Sequence, residues 1–411
     1  MKVTVPDRER IAGLLENLYL LIGALLIAYA FLNTTTFQIE WPLYLYVSLR
    51  DLLIILILLR IGFSERYTKT ELLICALVAV VFLFAAHRGE YDYLLSPLLF
   101  IVGAKGISWR KILKVFLFTT ASLLLVTMIS ALTGRIENLV YLQEGRRPRM
   151  ALGIGYPTDF SAHVFYTVVA YAFLRHEKIK YIEIGVIAII GLVVYWACDA
   201  RLNTVCILAA AVILFYHKWR LHMAKKKKKA YEMNGLWSML LASAAPLSAL
   251  FIIVCSWFYA SDNQLLYLLN SVLNHRISQA KRAMDIYGLS LWGQTIKEQG
   301  YGGTTKLPEY YFYLDSSYVS ILMRNGMIVL GCVLLVFVLI GFKARREKDW
   351  LFLWILALVS VQCMVEHHLL EISYVPFLWA LFADTEKRGT SKGFWKGFTN
   401  LVTGGRNEES V

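Results

Sequence analysis

Charge is scarce in this chain. Only 17% of its 411 residues are Asp, Glu, Lys or Arg, against about a quarter in ordinary globular domains, which excludes a typical soluble surface. The signs of nucleotide and zinc chemistry are also missing: there is no GxxxxGK[ST] phosphate loop, no GxGxxG after a strand, no HExxH and no CxxC. No segment repeats at a fixed period. The six cysteines, Cys75, Cys198, Cys206, Cys255, Cys332 and Cys363, fall in or beside apolar stretches and read as small buried apolar residues. No small-residue cleavage site follows the first apolar run, where Asn33-Thr34-Thr35-Thr36 stands instead, so that run reads as a retained span.

What is abundant is apolar sequence, 58% of the chain. A run of about twenty apolar residues can cross a bilayer core of about 30 Å. With charges as boundaries, spans are expected near 14–32, 43–61, 71–86, 94–104, 112–132, 160–174, 181–198, 202–216, 237–260, 317–342, 350–366 and 375–384. The fold class is therefore an all-α polytopic integral membrane protein of about 12 (10–12) transmembrane helices, the short members at 94–104 and 375–384 being tilted or re-entrant. One transmembrane domain covers 1–411, with an outer arginine-rich loop at 133–159, a basic cytoplasmic loop at 217–236 and a large outer loop at 261–316. Placing both termini in the cytoplasm puts 29 of the 42 Lys and Arg on that side, as the positive-inside rule requires. The net charge of +13 then reflects topology and anionic lipid, not a nucleic-acid partner.

Cations left on the outer side need another reason, and a bound anionic ligand supplies one. They are Arg135, Arg146, Arg147 and Arg149 in the first outer loop, Arg201 in the turn Asp199-Ala200-Arg201, and those of the large loop. Within that loop, Leu265, Leu269, Val272, Leu273, Ala280, Ala283 and Tyr287 recur at helical spacing and predict one amphipathic helix. At about 100° per residue Arg276 falls among these apolar positions, whereas Lys281 and Arg282 fall outside them. Arg276 then either snorkels, joins a buried salt bridge, or holds an anionic group. Further along, the run Tyr310-Tyr-Phe-Tyr-Leu-Asp315-Ser-Ser-Tyr318 leads into a span. It reads either as an interfacial aromatic belt with an N-cap at Asp315 or Ser316, or as a sugar site in which Asp315 is a general base. Arg324 is placed about 10 Å inside the span that follows, and Arg50 can pair with Asp51. Arg201 can equally be a surface partner of Asp199, and His163 a packing residue or a proton carrier. His367 and His368 beside Glu366 could bind a metal, but adjacent histidines rarely share one ion, so neither metal nor cofactor is expected.

Four pieces in order resemble the Wzy-type polysaccharide polymerases of the O-antigen ligase/polymerase superfamily: Arg149 ahead of Gly153, Gly155, Pro157 and Phe160; Asp199-Ala-Arg201; Asn274-His-Arg276-Ile; and Tyr313-Leu-Asp315-Ser-Ser-Tyr318 followed by Arg324-Asn-Gly326. The resemblance implies an enzyme of the bacterial plasma membrane that takes polyprenyl-pyrophosphate-linked oligosaccharide and transfers the growing chain to the next unit. It also implies a repeat-unit flippase and a chain-length regulator as possible partners. On this reading Asp315, Arg276 and Arg201 are catalytic, as base and pyrophosphate clamp, while Arg147, Arg149, Arg282, Tyr318, Arg324 and His163 bind substrate. The alternatives are a ligase that moves finished polymer to another acceptor, a flippase or exporter of the same lipid-linked sugars, and a non-catalytic scaffold.

Overall fold

Long apolar runs leave the backbone no partner but itself, and they coil. The computed structural model describes residues 5–40, 42–63, 67–90, 94–142, 145–306 and 308–385. The basic positions Lys2, Arg66, Lys387, Arg388, Lys392, Lys396 and Arg406 of the charge count lie outside the described residues. The first part comprises α1 (Val5–Leu32), α2 (Leu43–Phe63), α3 (Lys69–Gly89), α4 (Leu95–Gly103) and α5 (Trp109–Leu132). A small antiparallel ladder of β1 (Val140–Tyr141) and β2 (Arg149–Met150) precedes α6 (Pro157–Arg175), α7 (Tyr181–Cys198) and α8 (Arg201–Lys226). Then come α9 (Gly235–Ala242), α10 (Ala244–Trp257), α11 (Gln264–Val272), α12 (Arg276–Tyr287), the single turn α13 (Ser317–Ser320), α14 (Met327–Arg346) and α15 (Trp350–Gln362).

Among the described residues six helices are long and apolar enough to cross a membrane: α1 from Arg10, α3, α5, α7, α8 and α14. The pair α9 and α10 makes a seventh if its 61° bend is one broken span. Pro246 accounts for the bend, since its ring cannot sit against the carbonyl of Ala242 in a continuous helix. Gly341 of α14 packs into this elbow, where a Cβ would lie 2.5 Å from the Ala242 oxygen. Three expected spans take other forms. α4 has nine residues and α15 thirteen, too few at about 1.5 Å each. Residues 375–384 hold a buried 3-10 turn, Phe377–Leu381. The span expected at 317–342 is broken as well: α13 runs into a π turn at Ile321–Asn325, and α14 starts after Gly326. Arg324 therefore sits in that turn, ahead of α14, and not deep in a continuous helix.

α6 and α15 are buried along most of their lengths, with α5, α7, α8, α9, α10 and α14 packed around them. Apolar side chains face outward at helical spacing, as at Leu73, Leu77 and Val80 of α3 and Ile182, Val186, Ile189 and Val193 of α7, which suits lipid and not water. Buried charge is matched locally: Lys343 donates to the carbonyls of Ala380 and Ala383, at 3.1 and 2.8 Å, which the short turn leaves unpaired. At one end of the bundle the C-terminal end of α6 meets the start of α15 through His176 and Asp349, 3.2 Å apart. The opposite ends of these helices meet the arginine-bearing loops.

Candidate functional site

The loop into α6 is shaped by glycine. Gly153 adopts φ +85°, and a Cβ there would lie 2.8 Å from Thr127 Cγ2. Its carbonyl accepts from the Thr36 amide at 2.8 Å, and the Gly155 amide donates to Thr34 O at 2.7 Å. The ladder before it pairs Tyr141 with Arg149, which draws Arg149 inward to 3% exposure. Its Nε donates to Cys198 O at 3.1 Å and its Nη1 to the Tyr156 hydroxyl at 3.2 Å. Arg149 thus lies beneath the tyrosines and not at a rim.

The turn between α7 and α8 gathers the neighbouring arginines. Asp199, left-handed at φ 44°, is buried and is gripped by Arg146, whose Nε donates to Oδ2 at 2.8 Å and Nη2 to the backbone oxygen at 2.9 Å. Arg147 and Arg201 stand farther from Asp199 Oδ1, at 3.7 and 3.6 Å, with 49% and 57% of their side chains open to solvent. Arg146, then, takes the role of principal Asp199 partner that the sequence offered to Arg201. Arg147 also lies 4.8 Å from the Tyr195 ring centre.

The large loop is not one amphipathic helix. Asn274 and His275 take left-handed φ values of 48° and 65° and separate α11 from α12. Asn270, buried at the break, accepts from Ser278 N at 2.9 Å through Oδ1, while its backbone oxygen accepts from His275 N at 2.7 Å. Asparagine tolerates and stabilises such turns. The two helices bury different faces: Leu265, Leu268 and Val272 are exposed, whereas Ile277, Ala280, Ala283 and Met284 are buried. Arg276 opens α12 and turns inward. It pairs with Asp315 at 3.3 Å, both side chains being 13% exposed, and donates to Val365 O at 3.3 Å and Asn274 O at 3.1 Å. Burial opposes its charge, but Asp315 and Glu366 outweigh burial and raise its pKa above the ordinary arginine value.

Tyrosines wall this pair. Tyr156 stacks on Tyr301 with ring centres 5.4 Å apart, Tyr301 meets Tyr311 at 5.6 Å, and Tyr141 meets Tyr156 edge-on at 4.8 Å. Burial raises the pKa values of Tyr156 and Tyr311, and Asp315 adds to both. Their hydroxyls therefore stay protonated and can donate to sugar or phosphate oxygens. Glu366, 2% exposed, ties the elements together: Asn203, in the first turn of α8 after Arg201, donates to its Oε1 at 3.0 Å and to Ser161 Oγ at 2.7 Å. Through Glu366 and Val365, the start of α8 and the start of α12 converge.

The other expected site residues divide. Arg324 is paired with Glu298, and Arg282 lies over Tyr310 at 4.8 Å and Phe312 at 5.6 Å on the exposed side of α12. Tyr318 is fully buried and donates to Ser360 O at 2.9 Å, so its hydroxyl serves packing and not a ligand. His163 is also buried, stacked 3.7 Å from Tyr374 and tilted against Phe31 at 4.4 Å, which is the packing alternative. One atom from each of Glu366, His367 and His368 lies within 4.8 Å of the others, so these three could hold a metal ion. His368 also meets Glu371 at 3.2 Å and Asp159 at 3.6 Å. Sequence reasoning passed over Tyr156, Tyr301, Asn203 and Glu298. Their signal was position, since each lies within a few residues of a glycine turn or an arginine in the segments that converge. The chain matches no protein-family model, no curated protein and no solved structure.

Proposed function

We propose that the protein polymerises polyprenyl-pyrophosphate-linked oligosaccharide units into a bacterial capsular, O-antigen or exopolysaccharide chain at the outer face of the plasma membrane. In this reading both termini are cytoplasmic, 10–12 segments enter the membrane, and the arginine-bearing end of the bundle faces outward. The observation that carries it is the buried Arg276–Asp315 pair walled by tyrosines. A carboxylate suited to accept a proton stands beside a guanidinium suited to bind phosphate, and flat aromatic faces suited to sugar rings lie next to both.

The acceptor hydroxyl loses its proton to Asp315 as its oxygen attacks the anomeric carbon of the donor sugar. The bond from that carbon to the pyrophosphate oxygen breaks, and polyprenyl pyrophosphate leaves with the electron pair. Attack opposite the leaving group inverts the anomeric centre. Arg276 binds the pyrophosphate and stabilises the charge that develops on it. For this the anion draws Arg276 away from Asp315, which frees the carboxylate when donor is bound. In this reading Arg201, exposed at the start of α8 beside Asp199, joins Arg276 on the anion, Arg147 serves at its margin, and Arg149 fixes Tyr156. No metal or nucleotide is needed when arginines carry that charge.

A transporter would need free cations along an internal path. Arg50 instead pairs with its neighbour Asp51 at 3.0 Å, and Arg324 with Glu298. The test is polymer formation in liposomes from lipid-pyrophosphate-linked repeat units, without nucleotide or divalent metal, beside Arg276→Ala. A ladder made by the wild type and lost in the variant is expected. Binding of authentic units with no ladder would move the assignment to transport or ligation.

A further inference from the structure

α14, long and apolar enough to cross a membrane, ends in Lys343-Ala344-Arg345-Arg346. Lys343 is turned inward, but Arg346 is exposed and Arg345 half-buried. Neither arginine has a carboxylate partner among the described residues. The nearby acids are engaged elsewhere: Glu232 pairs with Lys348 at 2.6 Å, Glu347 accepts from the Thr385 hydroxyl at 2.7 Å, and Asp349 caps α15 through the Phe352 amide at 3.1 Å. Arg345 Nε donates to Ser238 Oγ at 3.0 Å, which anchors its guanidinium against α9 and leaves the two terminal nitrogens for another acceptor.

These cations edge an open cavity of about 530 Å³ between the start of α9 and the end of α14, lined by Gly235, Phe342, Arg345, Arg346, Lys348 and Trp350 among others. An apolar stripe leads away from it. Gly331, Leu335, Val338 and Phe342 of α14 are exposed or half-buried, and their spacing of four, three and four residues puts them on one face in line with Arg346. From Leu335 to Arg346 this face runs about 16 Å at about 1.5 Å per residue, about half of a bilayer core of about 30 Å. That is the depth of one leaflet. Alongside, α9 exposes Leu236, Trp237 and Met239. One ligand satisfies the stripe, the cavity and the cations together, namely a phospholipid whose acyl chain covers the stripe and whose phosphate meets the arginines. A zwitterionic headgroup would bring its own cation among Arg345, Arg346 and Lys348, so net negative charge is preferred. A soluble anion would use the arginines and leave the stripe uncovered.

We propose that the end of α14 and the start of α9 form a binding site for one anionic phospholipid, with its phosphate on Arg345 and Arg346 and one acyl chain along Leu335, Val338 and Phe342. The site lies at the opposite end of α14 from the Asp315 segment and stands without the polymerase reading. The test is native mass spectrometry of full-length protein released from nanodiscs of phosphatidylglycerol and phosphatidylcholine with matched acyl chains. Wild-type protein should retain one phosphatidylglycerol in preference to phosphatidylcholine by about tenfold or more, each arginine supplying about fivefold. Arg346→Gln should lower the preference about fivefold; the residue is exposed and makes no contact the fold depends on. Gly235→Trp, whose Cβ meets nothing within 4 Å, fills the cavity without a backbone clash and should abolish retention. Lys226→Gln, the same loss of charge at the exposed end of α8, should leave the preference unchanged. Thermal unfolding confirms that each variant is folded, and either folded site variant suffices. No preference in the wild type, a preference that a folded site variant leaves unchanged, or an equal loss in Lys226→Gln overturns the proposal. Excess inorganic phosphate should not displace the lipid. Displacement would assign the arginines to a soluble anion and would equally overturn it.

Discussion

Removing Arg276 and removing Asp315 should have unequal effects on the fold and large, non-additive effects on the reaction. At 3.3 Å two unit charges attract by about 5 kcal/mol at an effective dielectric constant of about 20. Both side chains keep 13% exposure, so water screens part of this, and a coupling of about 2–4 kcal/mol is expected. Arg276→Ala strands the Asp315 carboxylate in a buried site. Asp315→Asn leaves Arg276 with the carbonyls of Val365 and Asn274, so it should cost less. The double variant should then be more stable than Arg276→Ala alone, because the stranded charge is gone. In the liposome assay each single change should lower the polymerisation rate by about 100-fold or more, as expected for loss of a base or an anion-stabilising group. The double variant should be about as slow as the slower single one, because the two groups act as a unit. Thermal unfolding in nanodiscs and initial rates of ladder formation provide the two halves of the cycle. Additive stability losses, or a rate in either single variant close to wild type, would refute the pairing and the roles built on it.

Arg149→Lys keeps the charge but loses the fork that joins Cys198 O to the Tyr156 hydroxyl; polymerisation should fall by about tenfold with the fold retained, and an unchanged rate would remove Arg149 from the site. Gly326 adopts φ +93°, and a Cβ there would lie 2.4 Å from Gly293 N, so Gly326→Ala should abolish monodisperse protein in size-exclusion chromatography; wild-type yield and profile would contradict that packing. Burial opposes the charge of His368, but Glu371 and Asp159 outweigh it and raise its pKa to about 10. Against an ordinary value of about 6.5, the stability this contributes is fully present below about pH 6.5 and is lost as pH rises through about 10. The melting temperature should therefore fall more steeply between about pH 6.5 and 10 in the wild type than in His368→Gln, and parallel profiles would count against the His368–Glu371 contact.

Arg276 shows what patterning can and cannot disclose. Helical periodicity identified the α11–α12 segment as amphipathic and flagged a cation among apolar positions, since a charge there is costly unless matched. It could not foresee the break, because one continuous wheel assumes a constant turn per residue, and Asn274 and His275 leave that geometry. The match was also out of reach: Asp315 and Val365 are remote in sequence, and they meet Arg276 only where the ends of several helices converge. Arg324 marks the opposite error, in which apolar composition suggested a continuous span across 317–342. The π turn and Gly326 interrupt it, and the first amides of α14 are satisfied by Ser290 O and Leu291 O of the preceding loop, at 3.0 and 3.3 Å. Those contacts clamp residues 288–294 against the π turn that carries Arg324 and Asn325. Apolar runs reported where helices can form, but the candidate site lies where they stop, because helix ends are where backbone groups need partners from distant segments. The glycines, asparagines and prolines at those ends thus shape the candidate site as much as the charges do, and replacing Gly326 should cost the fold that holds it.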